Sequence, residues 1–296
     1  MSLADGISIV DAGIDYITVT ANEEKTAVPL GLLADRLQRK ERKQGFDVHT
    51  WGFSGYKGWQ CGEAQFGIRH DGIIVRLSSG LAHDFWRQAY EHSNHVSRVD
   101  YQVTVKGKIS APALVQKQFR RMRKWFLACE GRPEPKCIVG PHGAETINSG
   151  ARTSDVYGRM YDKGKERQQV EYQECARCEC EFKGPLAGVA ALAAFNEEDP
   201  LPTIVGGVRQ FFVARGGALG LSYKACAFQR PPRTSDDQKR LQWVRNAVGG
   251  TAMLWYERNR MDEFLAALGF ELVDGALVPK RYSGENFQGR KEKTCP

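Results

Sequence analysis

The sequence predicts an α+β fold built from a duplicated order of elements. Two strand-like runs carry that reading, GIDYITVT at 13–20 and RVDYQVTV at 98–105, each with Asp-Tyr at the same place before a β-branched stretch. Each is followed by a helical stretch, several further strand signals and a second helix, near 13–92 and 98–195. A repeated order of this kind points to internal duplication, with chance likeness of two core strands as the alternative. The chain has 296 residues, 42% of them hydrophobic, enough for a sizeable core. The expected division is a first repeat over 10–95, a second over 96–200 that carries the chemistry, and a C-terminal region over 201–296.

After the first strand, Leu30 to Arg42 reads as an amphipathic helix with leucines at 30, 33 and 37. Val48 to Cys61 mixes glycines with aromatics and reads as strand, turn, strand. Ile68 to Ser78 adds a hairpin signal with His70-Asp71-Gly72 as its turn. Leu81 to His92 reads as a helix with Phe85 and Trp86 turned inward. In the second repeat, Ala111 to Cys129 is the helix, Cys137 to Val139 a strand, and Ser149 to Lys183 two strands joined by a short charged connection. Pro185 to Phe195 is an apolar helix. Gly206 to Phe228 is glycine-rich and reads as further strands, and Arg230-Pro231-Pro232-Arg233 as a linker. Two more helices are expected over 237–248 and 252–268, then a polar, basic, mobile tail from Lys280.

Net charge is +7 and the isoelectric point is near 9.0, a balance that favours a polyanionic partner, most often nucleic acid. Lys117 to Lys124, KQFRRMRK, places Arg120, Arg121, Arg123 and Lys124 on about two helical turns. That is a candidate phosphate-binding face or an ordinary solvated one. No segment approaches 18 consecutive apolar residues and no basic n-region opens the chain, so the expectation is a cytoplasmic protein without a membrane span. The eight cysteines are then expected to be reduced thiols. Cys175, Cys178 and Cys180 lack a fourth ligand at zinc spacing, and Cys178 and Cys180 with Phe182 read better as a buried strand face. No His-hydrophobe-His pair, no GxxxxGK[ST] loop and no GxSxG elbow occurs, so the chemistries those motifs serve are not indicated.

A strand sends alternate residues to one face. Tyr157, Arg159, Tyr161 and Lys163 therefore share a face, and so do Arg177, Glu179, Glu181 and Lys183. In RVDYQVTV, Asp100 and Gln102 lie opposite Val99, Tyr101 and Val103. If these strands share a sheet, Asp100, Glu179 and Glu181 project from one polar face, where same-face neighbours stand about 7 Å apart. That spacing suits one hard divalent cation. It equally suits a charged sheet surface crossed by ion pairs, and spacing alone favours the latter. Most strand tyrosines are packing residues. One flanked by cations, as Tyr161 is by Arg159 and Lys163, is also a candidate nucleophile.

These motifs resemble a known family. SGARTSDVYGRMYDKGKE followed by RCECEFKG is similar to the signature of rolling-circle replication initiators of the Rep_trans type, which serve small plasmids and filamentous phages. The pattern is met at Gly150, Arg152, Ser154, Arg159, Tyr161, Asp162, Lys163, Gly164 and Glu166, then at Arg177, Glu179, Glu181 and Lys183, with Ala151 in place of the usual serine. The likeness extends more weakly over most of 10–270.

The resemblance implies a duplicated, TATA-binding-protein-like antiparallel sheet with helices on one face and a mainly helical C-terminal region. It implies strand nicking and joining at a replication origin through a 5′-phosphotyrosyl intermediate, with Tyr161 as nucleophile, Tyr157 as the alternative, and Arg159 and Lys163 assisting. Asp100, Glu179 and Glu181 would hold Mg²⁺ or Mn²⁺; Arg152, and the basic run of Arg120, Arg121, Arg123 and Lys124 read from charge alone, would contact DNA. The partners would be origin DNA, single-stranded or extruded as a hairpin, and a host helicase and polymerase in a bacterial cytoplasm, with a homodimer possible. A non-catalytic DNA-binding regulator on the same fold, and a metal-dependent nuclease using water, are the competing readings.

Overall fold

The computed structural model describes residues 7–129, 133–140, 143–167, 172–231, 258–267, 270–273 and 276–279. Strand β1 (Ser8–Ala21) leads into helix α1 (Glu24–Lys43), strands β2 (Val48–Phe53), β3 (Tyr56–Cys61), β4 (Ala64–Arg69) and β5 (Gly72–Ser78), and helix α2 (Ser79–Glu91). The order then recurs. Strand β6 (His95–Lys106) leads into α3 (Ala111–Leu127), β7 (Lys136–Val139), β8 (Glu145–Ser149), β9 (Val156–Asp162), a short α4 (Lys163–Arg167), β10 (Cys175–Lys183) and α5 (Pro185–Phe195). Helix α6 (Leu201–Val213) follows.

All ten strands form one antiparallel sheet in the order β2-β3-β4-β5-β1-β6-β10-β9-β8-β7. In each half the opening strand pairs with the closing one, β1 with β5 and β6 with β10. The two opening strands pair with each other at the centre. The fold is thus α+β with a duplicated antiparallel sheet.

Alternation decides the two faces. Ile17 and Val19 of β1, Val99, Tyr101, Val103 and Val105 of β6, and Ala176, Cys178, Cys180 and Phe182 of β10 are buried and join one core with residues of α1, α2, α3, α5 and α6. Burying one full-sized apolar side chain contributes about 1.5–3 kcal/mol, so this layer holds the helices against the sheet. The opposite face, with Arg98, Asp100, Arg177, Glu179, Arg159 and Tyr161, is the polar one.

Several expectations need correction. Helix α1 begins at Glu24, six residues before Leu30, and contains Pro29. The glycine-rich stretch from 206 is not strand: Val205-Gly206-Gly207-Val208 lies inside α6. The glycines there serve close packing, since a side chain on Gly206 would meet the Lys224 carbonyl, and one on Gly207 the rings of Tyr101 and Phe228. Strand β8 is an element the sequence reading did not separate. Tyr16, not Asp15, stands opposite Asp100, because β1 shifts register between Ile14 and Tyr16.

Residues 1–231 form one compact unit and 232–296 another. The stretch 201–231, assigned from sequence to the C-terminal region, belongs to the first unit, where α6 packs on β1, β6 and β10. In the second unit, helix α7 (Met261–Ala267) and the hairpin of β11 (Phe270–Val273) and β12 (Ala276–Pro279) are described. The helix expected over 237–248 and the tail from Lys280 lie outside the described residues; of the one expected over 252–268, Arg258 and Asn259 form a turn, Asn259 with φ 55°, and the helix starts only at Met261. Among the described residues no helix is long and apolar enough to cross a membrane.

Candidate active site

Three neighbouring strands build the site. Asp100 of β6 stands opposite Glu181 of β10, Gln102 opposite Glu179, and Thr104 opposite Arg177. On the other side of β10, Glu181 faces Tyr157, Glu179 faces Arg159, and Arg177 faces Tyr161. The register therefore brings all three expected carboxylates and both tyrosines onto one polar patch. The carboxylates are withdrawn from solvent, Asp100 at 4% exposure, Glu179 at 3% and Glu181 at 6%. Buried carboxylates persist only when paired, and each of these is.

Arg98 forks across Asp100, Nε to Oδ1 at 2.8 Å and Nη2 to Oδ2 at 2.6 Å, and also reaches Glu181 Oε2 at 3.2 Å. Lys183 Nζ lies 2.7 Å from Glu181 Oε1. Glu179 accepts from Arg159 Nε on Oε2 and from the Tyr161 hydroxyl on Oε1, the latter at 2.6 Å. Lys163 Nζ stands 3.5 Å from Tyr161 Oη and 2.7 Å from Glu166. Lys163 is the first residue of α4 rather than the last of β9, yet its ammonium reaches the same face. Arg177 donates to Thr104 Oγ1 at 2.9 Å and to Asp15 and Asp11 at 3.4 Å each, and Gln102 Nε2 donates to Asp11 at 2.8 Å. Asp11, Asp15, Gln102, Lys163, Tyr172 and Arg177 line a cavity of about 300 Å³ beside the nucleophile candidate.

Burial pushes the Asp100 carboxyl up to about 6; Arg98 pulls it down, and the neighbouring Glu181 and Glu179 charges push it further up. Burial, then the Glu179 charge and hydrogen bond, hold the Tyr161 phenol well above its ordinary range. Burial likewise raises Tyr157. The two tyrosines are equally covered, at 4% and 5% exposure. Their partners separate them: Tyr157 donates to the neutral Asn148 Oδ1 at 2.5 Å, while Tyr161 meets a carboxylate and an ammonium.

The donor set fits a divalent cation in its chemistry. Hard carboxylate oxygens of Asp100, Glu179 and Glu181 converge on one face, the donor type a hard divalent cation takes. Its present arrangement is closed. Arg98 occupies Asp100, Arg159 occupies Glu179, and among the described residues no three His, Cys, Asp or Glu side chains form a ready metal group.

The expected DNA contacts divide between the faces. Arg152 lies over the Tyr157 ring at 4.5 Å, next to the site. Arg120, Arg121, Arg123 and Lys124 are exposed on α3, whose Leu114, Val115 and Met122 pack into the core on the apolar face, so these cations sit on the side of the sheet away from Tyr161. The residues missed from sequence are Asp11 and Asp15. The signal was present in VDAGIDY, but the register shifts between Ile9 and Asp11 and between Ile14 and Tyr16 break the parity that would have placed them.

This layout is a sheet-borne site with an acid-paired tyrosine, on a fold also seen in a replication initiator. The solved structure of the rolling circle replication initiator protein from Geobacillus stearothermophilus superposes with a TM-score of 0.50 at 19% identity, covering 79% of this chain and 91% of that one. The likeness is one of fold. No family model matches the sequence, and no curated protein sequence matches it.

Proposed function

We propose that the chain is a replication initiator that nicks and rejoins one DNA strand at a rolling-circle origin, with Tyr161 as nucleophile. The observation that carries this reading is the Tyr161 hydroxyl set between the Glu179 carboxylate at 2.6 Å and the Lys163 ammonium at 3.5 Å. Glu179 Oε1 is placed to accept the phenol proton as Tyr161 Oη attacks phosphorus. The bond from phosphorus to the 3′ oxygen breaks, and a proton passes to that oxygen to give a 3′-OH. Lys163 and Arg159 offset charge on the phosphoryl oxygens. The 5′-phosphotyrosyl ester conserves a phosphodiester bond, so a later 3′-OH can reverse the step without ATP. Asp100, Glu181 and Glu179 would hold Mg²⁺ or Mn²⁺, which when bound supplies Lewis-acid polarisation of the phosphate. Loading it requires Arg98 to release Asp100 and Arg159 to release Glu179.

The test is a supercoiled plasmid carrying the cognate origin, with Mg²⁺ or Mn²⁺. Tyr161→Phe should lose both the nick and the covalent adduct, and Tyr157→Phe should keep both. The reverse pattern assigns the nucleophile to Tyr157. Nicking without an adduct would assign a water-using nuclease, and binding without nicking a regulator. Mass spectrometry of the cleaved oligonucleotide identifies the tyrosine directly.

A further inference from the structure

The polar face does not stop at the site. The row that carries Lys183 runs through Arg98, Thr18, Arg76 and Gln65 to Gln60 and His49, so the first half of the sheet presents its polar side on the same surface. Here the composition changes. Strands β2–β5 place no carboxylate on this face, where β6 and β10 place three. They place aromatics and arginines instead. Trp51 and Phe53 stand i and i+2 on β2 with ring planes 18° apart and centroids 6.3 Å apart. Trp51 lies against Gly67, where a Cβ would come within 2.9 Å of its ring. Phe53 is 48% exposed. The Arg76 guanidinium lies 3.7 Å from the Phe53 ring centre and 5.2 Å from that of Trp51. Its Nε is buried and has no hydrogen-bond partner. A desolvated donor on a fixed cation is costly unless an acceptor arrives.

Flat rings beside a cation whose Nε lacks a partner, on strands that carry no carboxylate of their own, match single-stranded nucleic acid, which offers bases to stack and phosphates to pair. Duplex DNA hides the base faces. We propose that the polar face of β2–β5 is a stacking platform for single-stranded DNA flanking the nick, with bases on Trp51 and Phe53 and a phosphate on Arg76. The inference rests on the strand transfer proposed for Tyr161 and adds to it a track on the half of the sheet that lacks the chemistry. From β2 to β9 the sheet has seven inter-strand steps, about 34 Å at ~4.8 Å per step. A stacked strand rises about 3.4 Å per nucleotide, so the platform and Tyr161 are about ten nucleotides apart along one strand.

The experiment measures quenching of tryptophan fluorescence in the full-length protein by oligothymidylates of about six and about twenty nucleotides and by a duplex of the longer length. The longer single strand should bind at least about tenfold tighter than the shorter one, and tighter than the duplex. Phe53→Ala and Arg76→Gln should each weaken the longer one by about tenfold, with Phe53→Trp retaining it. Arg76→Gln should also lower the slope of affinity against salt by about one. None of these variants should change cleavage of an origin oligonucleotide too short to reach β2. Wild-type binding by both Phe53→Ala and Arg76→Gln overturns the platform, as does an equal effect on duplex and single strand. If no form cleaves any oligonucleotide while the variants still lose the longer strand, the reading of Tyr161 falls and the platform stands.

Discussion

Glu179 is the residue on which the proposed chemistry turns. One oxygen holds Arg159 and the other receives the Tyr161 hydroxyl. Glu179→Gln keeps the shape, removes the charge and removes the proton acceptor. General-base contributions run to about 10²–10⁴-fold. Nicking by Glu179→Gln should fall by about that factor, while Tyr157→Phe, which loses only a hydrogen bond to an amide worth about 1 kcal/mol, should stay near wild type. A rate assay on a single-stranded origin oligonucleotide checks both; a Glu179→Gln enzyme within threefold of wild type would remove the proton-transfer role. The residue types at this site were legible in the sequence, because alternation put Tyr157, Arg159 and Tyr161 on one face and Glu179 and Glu181 on the facing one. What alternation did not supply was pairing. Whether a carboxylate meets an arginine or a hydroxyl depends on register across three strands, and register is set by long-range packing.

At the scale of elements, sequence located regular and irregular strands alike, but gave the faces only of the regular ones. RVDYQVTV and RCECEFK alternate without a break, and both faces follow. β1 contains register shifts, so its Asp11 and Asp15 escaped notice although they hold Arg177. The glycines of α6 were read as strand because a run of glycines lowers helix propensity. Their use becomes visible only when Tyr101 and Phe228 are in place against them. The same logic applies in reverse on β9. Gly158 lies between the two tyrosines, and a Cβ there would overlap the ring of Phe211 from α6. Overpacking of this kind costs about 1–3 kcal/mol, and at this chain length about 2–4 °C of melting temperature is lost per kcal/mol. Gly158→Ala should therefore melt about 2–12 °C lower in a thermal scan. Adding Phe211→Leu should recover part of the loss, because the two changes share one space. A Gly158→Ala protein with unchanged melting temperature would show that Phe211 yields without cost.

For the molecule as a whole, every side chain assigned to the chemistry comes from one unit. Asp100, Tyr157, Arg159, Tyr161, Lys163, Glu179 and Glu181 lie on β6, β9, α4 and β10, and the strands and helices that hold them end before residue 231. The second unit, 232–296, supplies none of them. The apolar side of the first unit's sheet is covered by α1, α2, α3, α5 and α6 of the same unit. A chain ending at Pro231 should accordingly fold, with a cooperative thermal transition. It should also cleave a single-stranded origin oligonucleotide in Mg²⁺ or Mn²⁺ and form the Tyr161 adduct at a rate within about tenfold of the full chain, one decade corresponding to about 1.4 kcal/mol of barrier. Selection of the origin within a supercoiled plasmid is a separate readout, and a loss there with the oligonucleotide reaction intact would assign origin recognition to residues 232–296. A truncated protein that melts cooperatively yet forms no adduct would show that the site as drawn lacks a component, and that the second unit provides it.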